Sequence, residues 1–334
     1  MSEIKEIEYF SPAYPTRDLL EQAVETNWDA TTASQVAKCP RNAEYAVRYG
    51  LIAKEESYAM KAGGALHGAL SLYYAGVDGD LCLEELGRIW GKGRDFAPPS
   101  VKFGHLTLGF LETIFKNYMD FAKRRDTFKP LEVQFDELDL SKVLGAVFRV
   151  SPSGNVILGE SKIIMDYSDI VGHPFVYSGK PDLPVESGGA IYLWDHKSTN
   201  SYLSTWYFDQ YRFSNQLRGY CSMLTRMTKI QLNGALINGI YMGERAILTE
   251  FKGDRFGRYG PMLYSPGHLN EAILNQYHWR KTLDYYEKQG YYPQHTSRLC
   301  GGCTFAELCA QTPIIRESVM HTSYTQLERS FLDL

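Results

Sequence analysis

Asp195 and Lys197 lie two apart in Trp194-Asp195-His196-Lys197, at the charged end of an apolar run that starts at Ala190. Strand side chains alternate faces, so this spacing points the carboxylate and the ammonium the same way. On a surface such a pair is an ordinary ion pair. Upstream, Gly179-Lys180-Pro181-Asp182 reads as a turn delivering a second carboxylate just before the hairpin partner of that strand. Two carboxylates and a lysine converging at a strand edge suit metal-dependent phosphodiester hydrolysis. Carboxylate oxygens hold Mg2+ or Mn2+. The ion activates a water and neutralises charge building on the phosphate. The lysine orients that water or stabilises the developing charge. His67 stands among Gly64, Ala65, Gly68 and Ala69, and small neighbours leave room for its ring to reach a metal. A lone histidine of this kind also serves as a satisfied core residue. Gln216 and Tyr220 are four apart, on one helix face. An amide and a phenol there can contact a phosphate, sugar or base, and are equally at home on an ordinary solvated helix.

Three of the six cysteines are crowded as Cys300-x2-Cys303-x5-Cys309, with Gly301 and Gly302 letting the backbone turn tightly. Three thiolates are one short of a tetrahedral set. Cys39, in Ala37-Lys38-Cys39-Pro40-Arg41, is the best fourth. Four cysteines hold zinc or an iron–sulfur cluster. Structural zinc usually takes two close pairs. Here one close group meets a ligand 261 positions away, which leans towards a [4Fe–4S] cluster clamping the two ends of the domain. Cys82 and Cys221 read as single buried thiols.

These groups need elements to position them. Residues 34 to 75 read as helical, as do His105 to Arg125, Trp206 to Arg226 and Leu269 to Gln289. The segment Gly91 to Pro99 reads as a loop. Leu131 to Phe135 alternates. Lys142 to Arg149 and Asn155 to Leu158 are β-type runs around the turn Ser151-Pro152-Ser153-Gly154, and Lys162 to Tyr167 is another. Ala190 to Lys197, Lys229 to Tyr241 and Arg245 to Phe251 complete the expected strands. Helices, then a sheet, then helices point to an α/β or α+β core.

Composition narrows the class. The 334 residues are 44% hydrophobic and 22% charged, as in an ordinary globular protein, which excludes collagen, coiled coil and wholesale disorder. No run of apolar residues is long enough to span a membrane. Met1-Ser2-Glu3-Ile4-Lys5-Glu6 does not open a secretory signal, so reduced thiols and a cytoplasmic location are expected. The net charge of −4 is not that of a passive nucleic-acid coat. It suits a nucleic-acid enzyme whose carboxylates hold metal ions. The Lys123-Arg124-Arg125 run is a solvated face or a steering patch for DNA.

The order of motifs is Cys39, Gly64-x-x-His67, Glu132-x-x-Phe135, Gly179-x-x-Asp182, Asp195-x-Lys197-Ser198-Thr199, Gln216-x3-Tyr220 and Cys300-x2-Cys303-x5-Cys309. This set, spanning Ser34 to Cys309, resembles the RecB-type branch of the PD-(D/E)XK nucleases. More narrowly, it resembles the iron–sulfur branch shared by CRISPR-associated exonucleases, the AddB nuclease domain and phage exonucleases. The resemblance implies an α/β restriction-endonuclease-like core, with a central mixed sheet flanked by helices. It implies a peripheral segment over 1–33, a nuclease domain over 34–310 with a helical insertion near 76–130, and a tail over 311–334. It makes His67, Asp182 and Asp195 metal ligands, joined by the His196 carbonyl, and Lys197 the catalytic lysine. Gln216 and Tyr220 face nucleic acid, Glu132 supports the site, and Cys39, Cys300, Cys303 and Cys309 hold a [4Fe–4S] cluster. The implied activity is a Mg2+- or Mn2+-dependent DNA exonuclease in recombination, repair, or phage or CRISPR processing. An endonuclease, or a weakly active binding subunit of a larger nuclease, is the alternative. A redox protein built on the cluster would leave Asp182, Asp195, Lys197 and Gln216 without a role. No Gly-x4-Gly-Lys-Ser/Thr motif occurs, so unwinding would come from a partner helicase, with a recombinase or single-strand-binding protein as other candidate partners. The Glu186-Ser187-Gly188-Gly189 stretch between the two aspartates leaves the hairpin register open.

Overall fold

The computed structural model describes residues 5–23, 28–54, 58–91, 104–151, 153–248 and 253–326. Its strands are β1 (Lys5–Phe10), β2 (Leu51–Ala53), β3 (Lys129–Pro130), β4 (Glu132–Val133), β5 (Val143–Val150), β6 (Val156–Asp166), β7 (Val176–Gly179), β8 (Leu183–Ser187), β9 (Ala190–Thr199), β10 (Leu232–Tyr241), β11 (Phe256–Leu263) and β12 (Tyr324–Gln326). One sheet runs β1-β5-β6-β4, with β7 also paired to β6, and a second runs β11-β10-β9-β8-β3. β12 and β2 form a small third sheet.

β8 and β9 settle the open register. Ser187 pairs with Ala190 and Leu183 with Trp194, around Gly188 and Gly189, both with positive φ. Two left-handed residues make the tight hairpin turn that suits the twist of the strands, and glycine adopts them without cost from a Cβ. Asp182 therefore precedes the strand that pairs with the Trp194 end of β9. β10 runs parallel to β9, with Ile237 beside Asp195 and Asn238 beside His196. A parallel neighbour needs a crossover. The chain supplies it as two helices, Thr205–Asp209 and Asn215–Thr228, capped by Ser204 and Ser214. One helix was expected across Trp206 to Arg226. The Ser214 side chain, accepting from the Leu217 N–H, restarts it instead.

Other differences have local reasons. Asn155–Leu158 and Lys162–Tyr167 were expected as separate runs and belong largely to one strand, β6, with Glu160 in the left-handed region at its middle. Arg245–Phe251 was expected as a strand. Glu244–Ile247 is instead a short 3-10 turn, and residues 249–252 lie outside the described residues. Arg255 donates to the carbonyls of Ala246 and Leu248 there, taking up acceptors a ladder would use. The partner of β10 is β11, whose Gly257, Gly260 and Pro261 read as turn residues in sequence. Most of the expected Gly91–Pro99 loop lies outside the described residues. The segment expected as peripheral contributes the edge strand β1, and the expected tail contributes helix Pro313–Ser323 and β12.

The main core lies between the sheets and the helices Asn215–Thr228 and Pro266–Gln289, around Phe148, Tyr177, Met223, Leu224 and Ile273. Each such side chain, fully buried, contributes about 1.5–3 kcal/mol. A second core is helical. Helices Tyr58–Tyr74, Gly79–Trp90 and Leu108–Arg125 close over Leu66, Leu70, Trp90, Leu111 and Phe115, and pack on the end of β10. The Lys123-Arg124-Arg125 run is exposed at the end of its helix, where basic residues complement the helix dipole. Among the described residues, no helix is long and apolar enough to cross a membrane.

Candidate active site

The two large sheets meet at Asp182. The chain leaves β7 in one sheet and enters β8 in the other through Lys180-Pro181-Asp182. β6 comes close there. A Cβ on Gly159 would lie 2.5 Å from the Asp182 carbonyl oxygen, so only glycine fits. The next residue, Glu160, has φ +59 and donates its N–H to the Pro181 carbonyl at 2.7 Å. Left-handed backbone costs a non-glycine residue about 1–3 kcal/mol and persists only where the surroundings impose it. Here it turns a carboxylate inward.

Helix Tyr58–Tyr74 brings His67 to the same point. Its buried stripe is Ala62, Ala65, Leu66, Ala69 and Leu70. Gly63 lets the helix settle on β9, since a Cβ there would lie 3.0 Å from Ser198 Oγ. His67 Nδ1 is then 3.4 Å from Asp182 Oδ1 and 3.6 Å from Glu160 Oε1. The ligand atoms of His67, Glu160 and Asp182 all lie within 4.8 Å of one another. Glu160 is also in ion-pair contact with Lys180. The other Asp182 oxygen accepts the His196 backbone N–H at 2.6 Å.

Asp195 is 1% exposed. Its Oδ2 faces the Lys197 ammonium at 2.6 Å, and its Oδ1 has no hydrogen-bond donor among the described residues. Lys197 reaches Gln216 Oε1 at 3.4 Å and lies 5.8 Å from the centre of the Tyr211 ring. Gln216 donates to the Tyr220 hydroxyl at 3.2 Å. Tyr220 is only 9% exposed, its ring fitting against Gly179. The pair expected to face nucleic acid thus lies beside Lys197, with Gln216 partly exposed and Tyr220 buried. The missing side chain of Gly179 is the reason the phenol turns inward.

The charges follow from burial and neighbours. Burial opposes a charge on His67, but Asp182 and Glu160 outweigh it and raise its pKa to about 10. Burial works against the Asp182 carboxylate too, and His67 and Lys197 hold it below the usual range all the same. Burial pushes Asp195 up, with Lys197 opposing and Asp182 adding to the rise. Burial would strip Lys197 of its proton, but Asp195 and Asp182 keep it charged. Two buried carboxylates around one imidazole call for positive charge, met here by the proton on His67, which a divalent ion would displace. A divalent ion fits that demand, and the donor-free Asp195 oxygen is a further ligand atom for it.

Behind β9 lies a hydrogen-bonded network in which His196 is held neutral and Arg258 pairs with Asp126. Burial drives the His196 pKa down to about 3. Its Nδ1 lies 2.5 Å from the Asn238 amide nitrogen, and its ring stacks on Tyr74. The amide can only donate, so Nδ1 accepts. Asn238 also donates to Tyr118 at 2.8 Å, Tyr74 donates to Asp126 at 2.7 Å, and Arg258 bridges Asp126, Tyr118 and Asn238. This web ties the helical core to the strands that carry Asp195 and Lys197.

Glu132 is not at this cluster. It is exposed on β4, where it accepts from the Asn155 amide at 2.5 Å. Glu160 takes the nearby place. Its only sequence signal is a glutamate beside a glycine inside an apolar run.

The cysteines gather elsewhere. Cys39 ends helix Ala30–Lys38 and starts helix Pro40–Ala43. Its sulfur accepts the His295 N–H at 3.4 Å, while the Cys300 thiol lies 3.6 Å from the His295 carbonyl. Cys303 accepts from the Asn42 amide at 3.4 Å. Burial raises the Cys309 pKa, and the nearby Cys303 and Cys39 add to it. Both ends of the chain thus supply sulfur to one corner.

No curated protein matches the chain. Residues 27–310 match the family described as the PD-(D/E)XK nuclease superfamily. That span covers most of the chain and includes His67, Glu160, Asp182, Asp195 and Lys197. The chain belongs to the PD-(D/E)XK nuclease superfamily.

Proposed function

We propose that this protein is a Mg2+- or Mn2+-dependent deoxyribonuclease of the RecB-like branch that degrades DNA from its ends. The observation that carries the reading is the meeting of His67, Glu160 and Asp182 beside the Asp195–Lys197 pair. His67, Glu160, Asp182 and Asp195 would hold the ion, with the His196 carbonyl as a further ligand. The ion supplies Lewis acidity and a water of lowered pKa. Lys197 stays charged and donates, either to the attacking water or to a phosphate oxygen. Asp195, Gln216 and Tyr211 fix the position of its ammonium. Asp182 remains a carboxylate and, held by the His196 N–H, keeps one orientation through the reaction.

The nuclease domain spans about 34–310 in this reading. Cys39, Cys300, Cys303 and Cys309 hold a [4Fe–4S] cluster that staples its two ends, supported by the one-plus-three division of the ligands along the chain. A helicase or single-strand-binding protein would present the DNA end, in recombination, repair, or phage or CRISPR-related processing.

The test uses anaerobically purified protein with Mg2+ or Mn2+, end-labelled linear DNA and closed circular DNA. Wild type should degrade the linear DNA alone, and Lys197→Ala should lose about a hundredfold or more in rate with folding intact. Cutting of circles would make it an endonuclease. No cleavage of either would leave a binding subunit. Iron and acid-labile sulfide in equal amounts, without zinc, would support the cluster, and zinc alone would remove it.

A further inference from the structure

The segment that links β9 to the Gln216 helix carries an unusual division of aromatic residues. Tyr207 and Phe208 point in. Phe208 stacks flat on Tyr259, 5.3 Å between centres, and fills the space above Gly239 and Gly257. Trp206 and Phe213 point out, 84% and 72% exposed. The Arg212 guanidinium lies 5.7 Å from the centre of the Phe213 ring. Tyr211, between them in sequence, donates to the Tyr207 hydroxyl at 3.2 Å and faces Lys197. The buried pair therefore anchors the exposed pair, and the same short segment touches the lysine of the site.

An exposed tryptophan held on an anchored helix forgoes about 25 cal/mol for every Å² of apolar surface it leaves in water. Here the segment that carries both rings also carries Arg212, and the centre of its Tyr211 ring lies 5.8 Å from the Lys197 ammonium. Flat rings with a guanidinium beside them match the chemistry of unpaired bases, whose faces stack on aromatics while arginine meets the phosphates. Paired bases hide those faces inside the duplex.

We propose that Trp206 and Phe213 form a stacking platform for single-stranded DNA, leading an unpaired strand to Lys197. The proposal rests on the nuclease reading for the identity of the strand. Continuity of the segment with the catalytic strand selects DNA over a protein partner.

The experiment measures binding of a labelled oligothymidylate, and of a blunt duplex of the same length, by the full chain without added divalent ion. Wild type is compared with Trp206→Ala, Phe213→Ala, the double variant, and Tyr285→Ala as an exposed control on another helix. All positions are exposed, and melting curves check that folding is unchanged. Each platform substitution should weaken oligothymidylate binding about fivefold or more, with duplex binding and the control unchanged. Wild-type affinity for oligothymidylate in the double variant overturns the proposal, as does an equal loss on duplex. A change of oligomeric state without loss of DNA binding also overturns it, in favour of a protein interface. Cleavage separates the two readings. A wild type that binds oligothymidylate but cuts no DNA with Mg2+ or Mn2+ keeps the platform and loses the nuclease. A wild type that cuts, with platform variants that bind normally, keeps the nuclease and loses the platform.

Discussion

The acidic centre and the cysteine corner both collect residues from distant parts of the chain, by different means. At the acidic centre, the geometry belongs to the sheets. Asp182 sits where two sheets meet, Asp195 and Lys197 alternate on a strand paired on both edges, and a helix seats His67 through Gly63. Each buried charge there faces an opposite one. At the cysteine corner the support is small. Tyr45, Ala46, Leu51, Phe305, Leu308 and Tyr324 form its core, joined by the short pairing of β2 with β12. The four thiols are only partly buried and accept few hydrogen bonds. The first region is built by the two large sheets and a helix. The second rests on a small core and one short strand pair.

The largest effect that would sharpen this contrast is at Asp182. Asp182→Asn keeps the shape but removes the charge shared by His67 and Lys197. Cleavage in single-turnover kinetics should fall about a thousandfold or more, because both ion binding and the lysine's position depend on that carboxylate. Activity within tenfold of wild type would remove Asp182 from the centre. Next in size is Cys303→Ala. Its melting temperature should drop by at least about 5 °C, before any loss of intrinsic cleavage chemistry. A variant as stable as wild type would mean that the corner stands on its own small core, and the comparison would break. Glu160→Gln should weaken Mn2+ affinity about tenfold or more while leaving the fold intact, as measured by titration calorimetry. An unchanged affinity would assign Glu160 to Lys180 alone. The smallest effect is a pH dependence. Unfolded His196 takes a proton near pH 6.5, while the buried ring resists it down to about 3. Between those values the unfolded state binds more protons, so acid removes stability, by up to about 1.4 kcal/mol per pH unit. Denaturant melts of metal-free wild type and His196→Gln across that window should differ in slope. Parallel slopes would mean that His196 is not held neutral.

The same contrast explains what could be read in sequence. Asp195 and Lys197 were legible because alternation in a strand is a rule of two, and Asp182 because a Gly-Lys-Pro turn announces itself. The crowding of Cys300, Cys303 and Cys309 was legible for a similar reason. Glu160 was not, because its place depends on a left-handed backbone imposed by contact with Pro181, which no local pattern encodes. Glu132, expected to support the site, has its side chain exposed on a strand paired with β6. The inward turn of Tyr220 needed knowledge of Gly179 on another element. β11 leaves no clear strand pattern, because Gly257, Gly260 and Pro261 fall inside it.

The pairing of β2 with β12 bears on how the protein is made. Leu51 meets Gln326, so this pair has very high contact order and must wait for every strand of the two large sheets to be made. During synthesis Cys39 is made 261 positions before Cys300, so it stays without Cys300, Cys303 and Cys309 while the large sheets are made. The strands of the sheets that hold Asp182, Asp195 and Lys197 end at Leu263, so all of them are made before Cys300. Any inorganic group held by all four sulfurs would therefore join a chain in which every strand of the acidic centre has already been made.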